Sequence, residues 1–471
     1  MLNKHPKGLY SLFFTEMWER FSYYGMRSIL ILYMVNALLY NTTFASTIYG
    51  YYTGLVYLTP LIGGYVADRY WGNRKSTITG GILMALGQFS LAVSSYLYVP
   101  SISQGATYSS FIFNNQGISF LIGLSLLVIG NGFFKPNISS MVGFLYPKND
   151  NRKDSAFTIF YMGINLGALL SPLIVGGLGD TGNPADYMYG FLAAGVGMII
   201  GLIIFIWSKN KYLVTPEGKS VGSVPSHDIK CQENSIKKLT KIEKDRTAVI
   251  AILSFFSIFF FIAFEQSGVS LTLLAEQHVD KVIPFLGNMH YSASWFQTIN
   301  PLAILILAPI FAALWPVLRK KGHEPPVPLK MAIGLIILAI GFTAILPAAQ
   351  MLDTGTQNIS PLWLVLAYVI FTVGELCLSP IGLSMVSKLA PLKFTCLLMA
   401  TWFLASSIGG VMAGYMGSLY PSPTRTMTTL LGTPIDGFTS FFMIFVVISA
   451  AAGIILIITS KKLSKMMHGI Q

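Results

Sequence analysis

Ten residues near the N terminus, Glu16-Met-Trp-Glu-Arg-Phe-Ser-Tyr-Tyr-Gly25, place three charges and two phenols inside an apolar stretch that runs from about residue 9 to about residue 39. Arg27 follows two positions on. One ionised side chain at the centre of a membrane helix costs about 2.5–3.5 kcal/mol. Four on one segment cannot face lipid. At about 100° per residue, Glu16, Arg20, Tyr23 and Arg27 fall in one narrow stripe, with Glu19 and Tyr24 on its two sides. Carboxylates so placed carry protons, and a guanidinium so placed recognises anions. The competing reading is a buried ion-pair network that only fixes helix packing.

Further ionisable residues lie deep in other apolar segments. Lys135, in Gly130-Asn-Gly-Phe-Phe-Lys-Pro-Asn137, is about ten residues from either end of its segment. A lone ammonium there needs a carboxylate, from the protein or from a substrate. Glu265 and Glu375 are the intramembrane carboxylates of the second half. The balance is Glu16, Glu19, Glu265 and Glu375 against Arg20, Arg27 and Lys135. One half is positive in excess and the other purely negative, which suits a zwitterion. A free peptide is one. Its carboxylate would lie toward Arg20, Lys135 and Tyr24 and its amino group toward Glu375, with Asn165 and Asn300 on its polar groups. A dipeptide spans roughly 7 Å and a tripeptide roughly 10 Å, so fixed poles limit substrate length. Tyr23, Tyr57 and Trp402 are candidate walls for variable side chains, with core packing as the alternative for each. None of the six histidines lies well inside a span, so proton handling falls on carboxylates.

The elements that must hold these residues are membrane helices. Of 471 residues, 53% are hydrophobic and 11% charged, where soluble chains carry about 25% charged. The apolar runs predict twelve spans, at about 9–39, 44–68, 76–99, 118–146, 155–179, 187–208, 247–275, 292–318, 328–351, 361–389, 394–419 and 437–460. The first segment is too long and too charged for a signal-peptide core and is expected to be retained. With the N terminus cytoplasmic, 26 of the 31 Lys and Arg residues fall at the termini or on the cytoplasmic side, and both termini lie inside. The net charge of +12 is then a topology signal, with attraction to anionic lipid secondary, and does not imply a nucleic-acid partner. Residues 1–208 form one six-helix bundle, 209–246 a cytoplasmic linker and 247–471 a second bundle. Within the linker, 234–246 is either an amphipathic surface helix or part of a flexible connection. Gly50/Gly54, Gly163/Gly167, Gly197/Gly201 and Gly410/Gly414 read as close-packing devices. Pro301 and Pro380 read as kinks. Cys231, Cys377 and Cys396 show no paired or metal-ligand spacing.

The Glu16–Tyr24 stretch resembles the E-x-x-E-R-F-x-Y-Y signature of the proton-coupled oligopeptide transporters, a branch of the major facilitator superfamily. Phe160-Tyr-Met-Gly-Ile-Asn-Leu-Gly167 is similar to that family's F-Y-x-x-I-N-x-G. Phe264-Glu-Gln-Ser267, Phe296-Gln-Thr-Ile-Asn-Pro301, Gly374-Glu-Leu-Cys-Leu-Ser-Pro380 and Trp402-Phe403 resemble further family segments in the same order. The stretch around Asp68, Arg69, Arg74 and Lys75 resembles the superfamily's D-R-x-x-G-x-[RK]-[RK] loop, expected to latch the inner helix ends. The chain departs from relatives that carry two extra helices between the halves, and from animal relatives that use a histidine in the second helix.

The resemblance implies an all-α membrane protein of the major facilitator fold and a symporter importing di- and tripeptides with protons by alternating access. It places proton coupling on Glu16, Glu19, Arg20 and Glu265. Substrate binding falls on Arg20, Tyr23, Tyr24, Arg27, Tyr57, Lys135, Asn165, Asn300, Glu375, Ser379 and Trp402, and gating on Arg27, Glu265, Asp68 and Arg69. In that family the Arg27–Glu265 pair would close the outer side. No catalytic residue, metal or cofactor is expected, the proton being the coupling ion. The expected partners are peptides, peptide-like drugs, protons and membrane lipid, for a monomer in a cell membrane of the bacterial inner-membrane type. Two alternatives stay open: the same fold carrying a non-peptide anion or a peptide-like compound, and a non-transporting nutrient sensor. No nucleophile elbow, P-loop or metal cluster points to an enzyme.

Overall fold

The computed structural model describes residues 5–98, 107–147, 150, 152–216, 218–223, 240–283, 289–391, 394–422, 428–430 and 432–469. In the first half the described residues form α1 Lys7–Asn36, α2 Thr42–Val66, α3 Gly72–Tyr96, α4 Asn115–Phe144, α5 Arg152–Ser171, α6 Gly177–Gly179 and α7 Tyr187–Ser208. The second half adds α8 Lys241–Phe264, α9 Ser270–His278, α10 Ile299–Lys320, α11 Val327–Thr343, α12 Leu346–Asp353, α13 Leu362–Leu389, α14 Thr395–Gly417 and α15 Phe438–Met466. Two short antiparallel hairpins, β1–β2 (Val282–Ile283 with Met289–His290) and β3–β4 (Thr428–Leu430 with Thr433–Ile435), sit in loops.

Among the described residues, ten stretches are long and apolar enough to cross a membrane. One of them, Thr42–Tyr96, has 55 residues, about 80 Å of helix against a hydrocarbon core of about 30 Å. It is broken by a π-helical turn at Ala67–Trp71 and by Gly72 at φ +71°. α1 is absent from the ten because its charges dilute its apolar character. The expected spans match observed helices to within a few residues, and the differences have local causes. The segment expected at 155–179 changes to a π-turn at Pro172–Gly176, where Pro172 withholds an amide. The one expected at 247–275 breaks at a 3-10 turn, Glu265–Gly268. The one expected at 328–351 breaks between α11 and α12, with Pro347 in the first turn of α12. Pro301 is the third residue of α10, just past the 3-10 turn Ala293–Thr298, where one helical form gives way to the other. Pro380 lies mid-helix in α13.

The chain divides into two compact units. The first comprises Met1–Asn41, Leu55–Glu233 and Ser292–Pro301; the second comprises Thr42–Gly54, Asn234–Tyr291 and Leu302–Gln471. Each therefore contains a short segment from the opposite half of the sequence.

Glycines set the helix spacing. A Cβ on Gly163 would press on Phe13 at 2.9 Å, and one on Gly167 would overlap the Met17 carbonyl and crowd Arg20, so α5 lies directly on α1. Gly197 and Gly201 do the same for α7, against Phe21 and Trp18 of α1. In the second unit Gly50 and Gly414 face each other, a Cβ on either lying 2.5–2.7 Å from the other's Cα. Ser407 Oγ also donates to the Gly54 carbonyl at 2.7 Å.

The first part of the linker is ordered. Val214 and Ser220 pair as an antiparallel bridge, and Val221 N–H donates to the Leu213 carbonyl at 3.0 Å. Leu213 and Val221 are buried. Arg74 binds this strap: it donates to the carbonyls of Val221, Lys209 and Leu213, each at 2.6 Å, and to Asn210 Oδ1 at 3.2 Å. Asp68 and Arg69, the expected latch residues, are exposed, and Arg69 donates to Tyr65 OH at 3.0 Å. Arg74, of the same motif stretch, thus ties the strap to α3, and Gly72 turns the chain toward Ser223. Of the stretch 234–246, expected as a surface helix or a flexible connection, the described part is helical from Lys241, and 234–239 lies outside the described residues.

Candidate functional site

The first unit gathers the N-terminal ionisable residues into one buried cluster. Arg20 Nε lies 2.8 Å from Glu16 Oε1 and 2.7 Å from Glu19 Oε2. The first contact is an aligned hydrogen bond across one helical turn, whereas the second is a close ion pair without that alignment. Glu16, Glu19 and Arg20 are at most 3% exposed, so none meets lipid. Glu16 and Glu19 are nearly a helical turn apart, and the reach of the arginine lets one guanidinium serve both. Second oxygens and one terminal nitrogen of this cluster lack hydrogen-bond partners, leaving polar capacity in a closed space.

Neighbouring helices complete the cluster. Asn131 of α4 donates to Glu19 Oε1 at a long 3.4 Å. The flanking glycines make this possible: a Cβ on Gly130 would lie 2.7 Å from the Gly80 carbonyl of α3, and one on Gly132 would lie 2.7–2.9 Å from Thr59 of α2. One turn further, the Lys135 ammonium lies over the Tyr57 ring, 4.6 Å from its centroid. Gln88 of α3 donates to the carbonyl and hydroxyl of Ser22, both at 3.1 Å, tying α3 to α1 beside Arg20. The guanidinium of Arg20 sits 5.7 Å from the Tyr23 ring, which meets Tyr24 edge-on at 5.1 Å.

The remaining predicted residues are placed as follows. Asn165 is buried on α5, two residues before Gly167, and donates to its own helix at the Tyr161 carbonyl, 2.9 Å away. Arg27 is buried on α1, and Asn300 is half-buried in the first turn of α10, both in the first unit. The second unit holds Glu265, buried at the 3-10 break, and Glu375 and Ser379, half-buried on α13. Trp402 is buried, with its ring wedged onto the Cα of Gly382; its observed contact is packing. Gln88 and Asn131 were not among the predicted site residues. Their signal in the sequence was the one used for Lys135: a polar side chain in the middle of an apolar run.

Comparison with known proteins identifies the family. The model of the POT family matches residues 74–231 and 223–432. The chain is a member of the POT family. It is 35% identical to an uncharacterised transporter, YclF, of Bacillus subtilis, over 99% of this chain and 96% of that protein. It is 34% identical to the peptide transporter YePEPT of Yersinia enterocolitica, over 99% and 97%. Against a di-/tripeptide transporter of Lactococcus lactis subsp. cremoris the identity is 32%, over 99% and 97%. Among solved structures it is similar to a peptide transporter POT in complex with sulfate, at TM-score 0.82 and 31% identity over 100% of this chain and 97% of that one. It is similar as well to a POT family transporter in complex with 5-aminolevulinic acid, at TM-score 0.81 and 28% identity over 98% of each chain. This POT family chain is therefore a multi-pass membrane transporter of the major facilitator fold and not an enzyme.

Proposed function

We propose that this POT family member is a proton-coupled symporter that imports di- and tripeptides by alternating access. The observation that carries the reading is the Glu16–Arg20–Glu19 cluster, sealed from lipid, with Lys135 near it on α4. Two carboxylates share one guanidinium. A peptide carboxylate that competes for Arg20 displaces one of its two carboxylates, and a proton can replace the lost partner. Peptide and proton thus load together. Relatives named peptide and di-/tripeptide transporters support the cargo. Glu375 supplies the pole for the amino group, and Arg27 with Glu265 the outer gate.

The topology belongs to the same reading: twelve spans, counting α1 and dividing Thr42–Tyr96 in two, both termini inside a bacterial inner membrane, and a monomer. A second cargo class, small compounds with one amine and one carboxylate, is favoured by the similar transporter solved with 5-aminolevulinic acid. The test is purified protein in liposomes with labelled dialanine and labelled 5-aminolevulinic acid, with and without an inward proton gradient. Concentrative dialanine uptake only with the gradient is expected. Equal uptake without it removes proton coupling, and uptake of 5-aminolevulinic acid alone moves the cargo to the second class.

A further inference from the structure

Ser292–Pro301 packs within the first unit, whereas the chain from Leu302 onward belongs to the second. The start of this segment seats on the end of the fifth predicted span. Ser292 Oγ donates to Asp180 Oδ2 at 2.5 Å and lies 2.6 Å from Ser294 Oγ. Ser294 is fully buried, and its hydroxyl fills the place a Cβ on Gly176 would take. Gly176 ends the π-turn that Pro172 opens, so the notch is made by backbone geometry together with a missing side chain. Further along, Gln297 Nε2 donates to the Ser28 carbonyl of α1 at 3.4 Å.

We propose that Ser292–Ser294 is a latch, seated on Asp180 and the Gly176 notch in one state of the transport cycle and withdrawn in the other. The proposal rests on the alternating-access reading above, under which a segment joined to the second unit cannot stay fixed to the first throughout. The seat itself favours release. Its polar groups are the two serine hydroxyls and the Asp180 carboxylate, which water satisfies after separation, and the apolar cost of release falls on the buried Ala293 between them. Asp180 and Ser292 are then gating residues that no family motif quoted above includes.

The test uses full-length protein in liposomes with Cys231, Cys377 and Cys396 replaced by Ala. In an Asp180→Cys, Ser292→Cys pair, oxidation is expected to cut dialanine uptake at least tenfold, with recovery on reduction. Full cross-linking with uptake unchanged would mean the segment never leaves its seat and overturns the latch. A second measurement needs no substrate. A single Ser292→Cys, treated with a membrane-impermeant maleimide on both faces of the membrane, should label several-fold faster when Gly176→Val fills the notch. Asp180→Ala serves the same purpose if Gly176→Val does not fold. Unchanged labelling in the folded variant refutes the latch. Absence of uptake in every protein, including the parent, refutes the peptide reading while the labelling still decides the latch.

Discussion

At the scale of single residues, the centre of the protein is one guanidinium between two carboxylates. Arg20→Lys keeps the charge, but both carboxylate contacts run through Nε at 2.8 and 2.7 Å, and a point donor that takes them leaves no second planar edge for a peptide carboxylate. Gradient-driven dialanine uptake in liposomes should fall at least tenfold while the protein stays monodisperse. Arg20→Met should be worse, since removing one partner of a buried ion pair costs about 3–5 kcal/mol, and should appear as lost expression. The Glu16→Gln, Glu19→Gln pair mimics the protonated site and keeps its size. Exchange of labelled for unlabelled peptide should persist, because exchange moves no net proton, while accumulation against a peptide gradient should vanish. A double variant that still concentrates peptide would move coupling to Glu265 or Glu375.

Between elements, contact depends on places where a side chain is missing and on a few ionic ties. Gly167→Ala puts a methyl group onto the Met17 carbonyl and against Arg20. Neither neighbour is a flexible chain end, so α5 must move off α1 at a cost of about 1–3 kcal/mol. A lower thermal unfolding temperature and impaired uptake are expected. The α10–α11 turn is held differently. Arg319 Nε lies 2.5 Å and Lys330 Nζ 2.6 Å from the Glu324 carboxylate. The hydrogen bond from Arg319, followed by that from Lys330, holds Glu324 down at about 2, against the opposing effect of its burial. Because the folded value is below the ordinary one, the stabilisation is complete above about pH 4.5 and is lost as pH falls toward 2. The parent should lose thermal stability between pH 5 and 3 more steeply than Glu324→Gln; equal slopes in a melting series would contradict the tie.

Across the whole molecule, the connection between the halves is shorter than the polar stretch 209–246 suggests, because residues 209–223 are strapped to the first unit. Four acceptors on Arg74, with charge-assisted bonds of about 1.5–3 kcal/mol each in favourable cases, hold a strap whose apolar anchors are Leu213 and Val221. Trypsin should spare Lys211 and Lys219 in the parent and cut there in Arg74→Ala, as read by mass spectrometry of the fragments. Equal cutting in both proteins would show that Arg74 does not secure the strap.

Membrane character, helix positions and the identity of the buried charges were legible in the sequence. Each follows from local rules: an apolar run long enough to span lipid, a 3.6-residue repeat, and the cost of an unpaired charge in hydrocarbon. The Gly-x-x-x-Gly pairs announced close packing for the same reason. Which partners those residues take was not local. Glu16 and Glu19 could have faced a path or each other; the fold gives both to Arg20. Arg74 belongs to the Asp68–Lys75 motif, yet the carbonyls of Lys209, Leu213 and Val221 that it binds lie far along the chain, beyond any local rule. Trp402 was open between wall and core, and what the fold adds is the hollow at Gly382 on α13 against which its ring lies. The Asp180–Ser292 contact joins residues 112 positions apart, and no periodicity encodes such a pair. Local spacing dictates what a residue needs, and only the packing of distant helices decides what satisfies it.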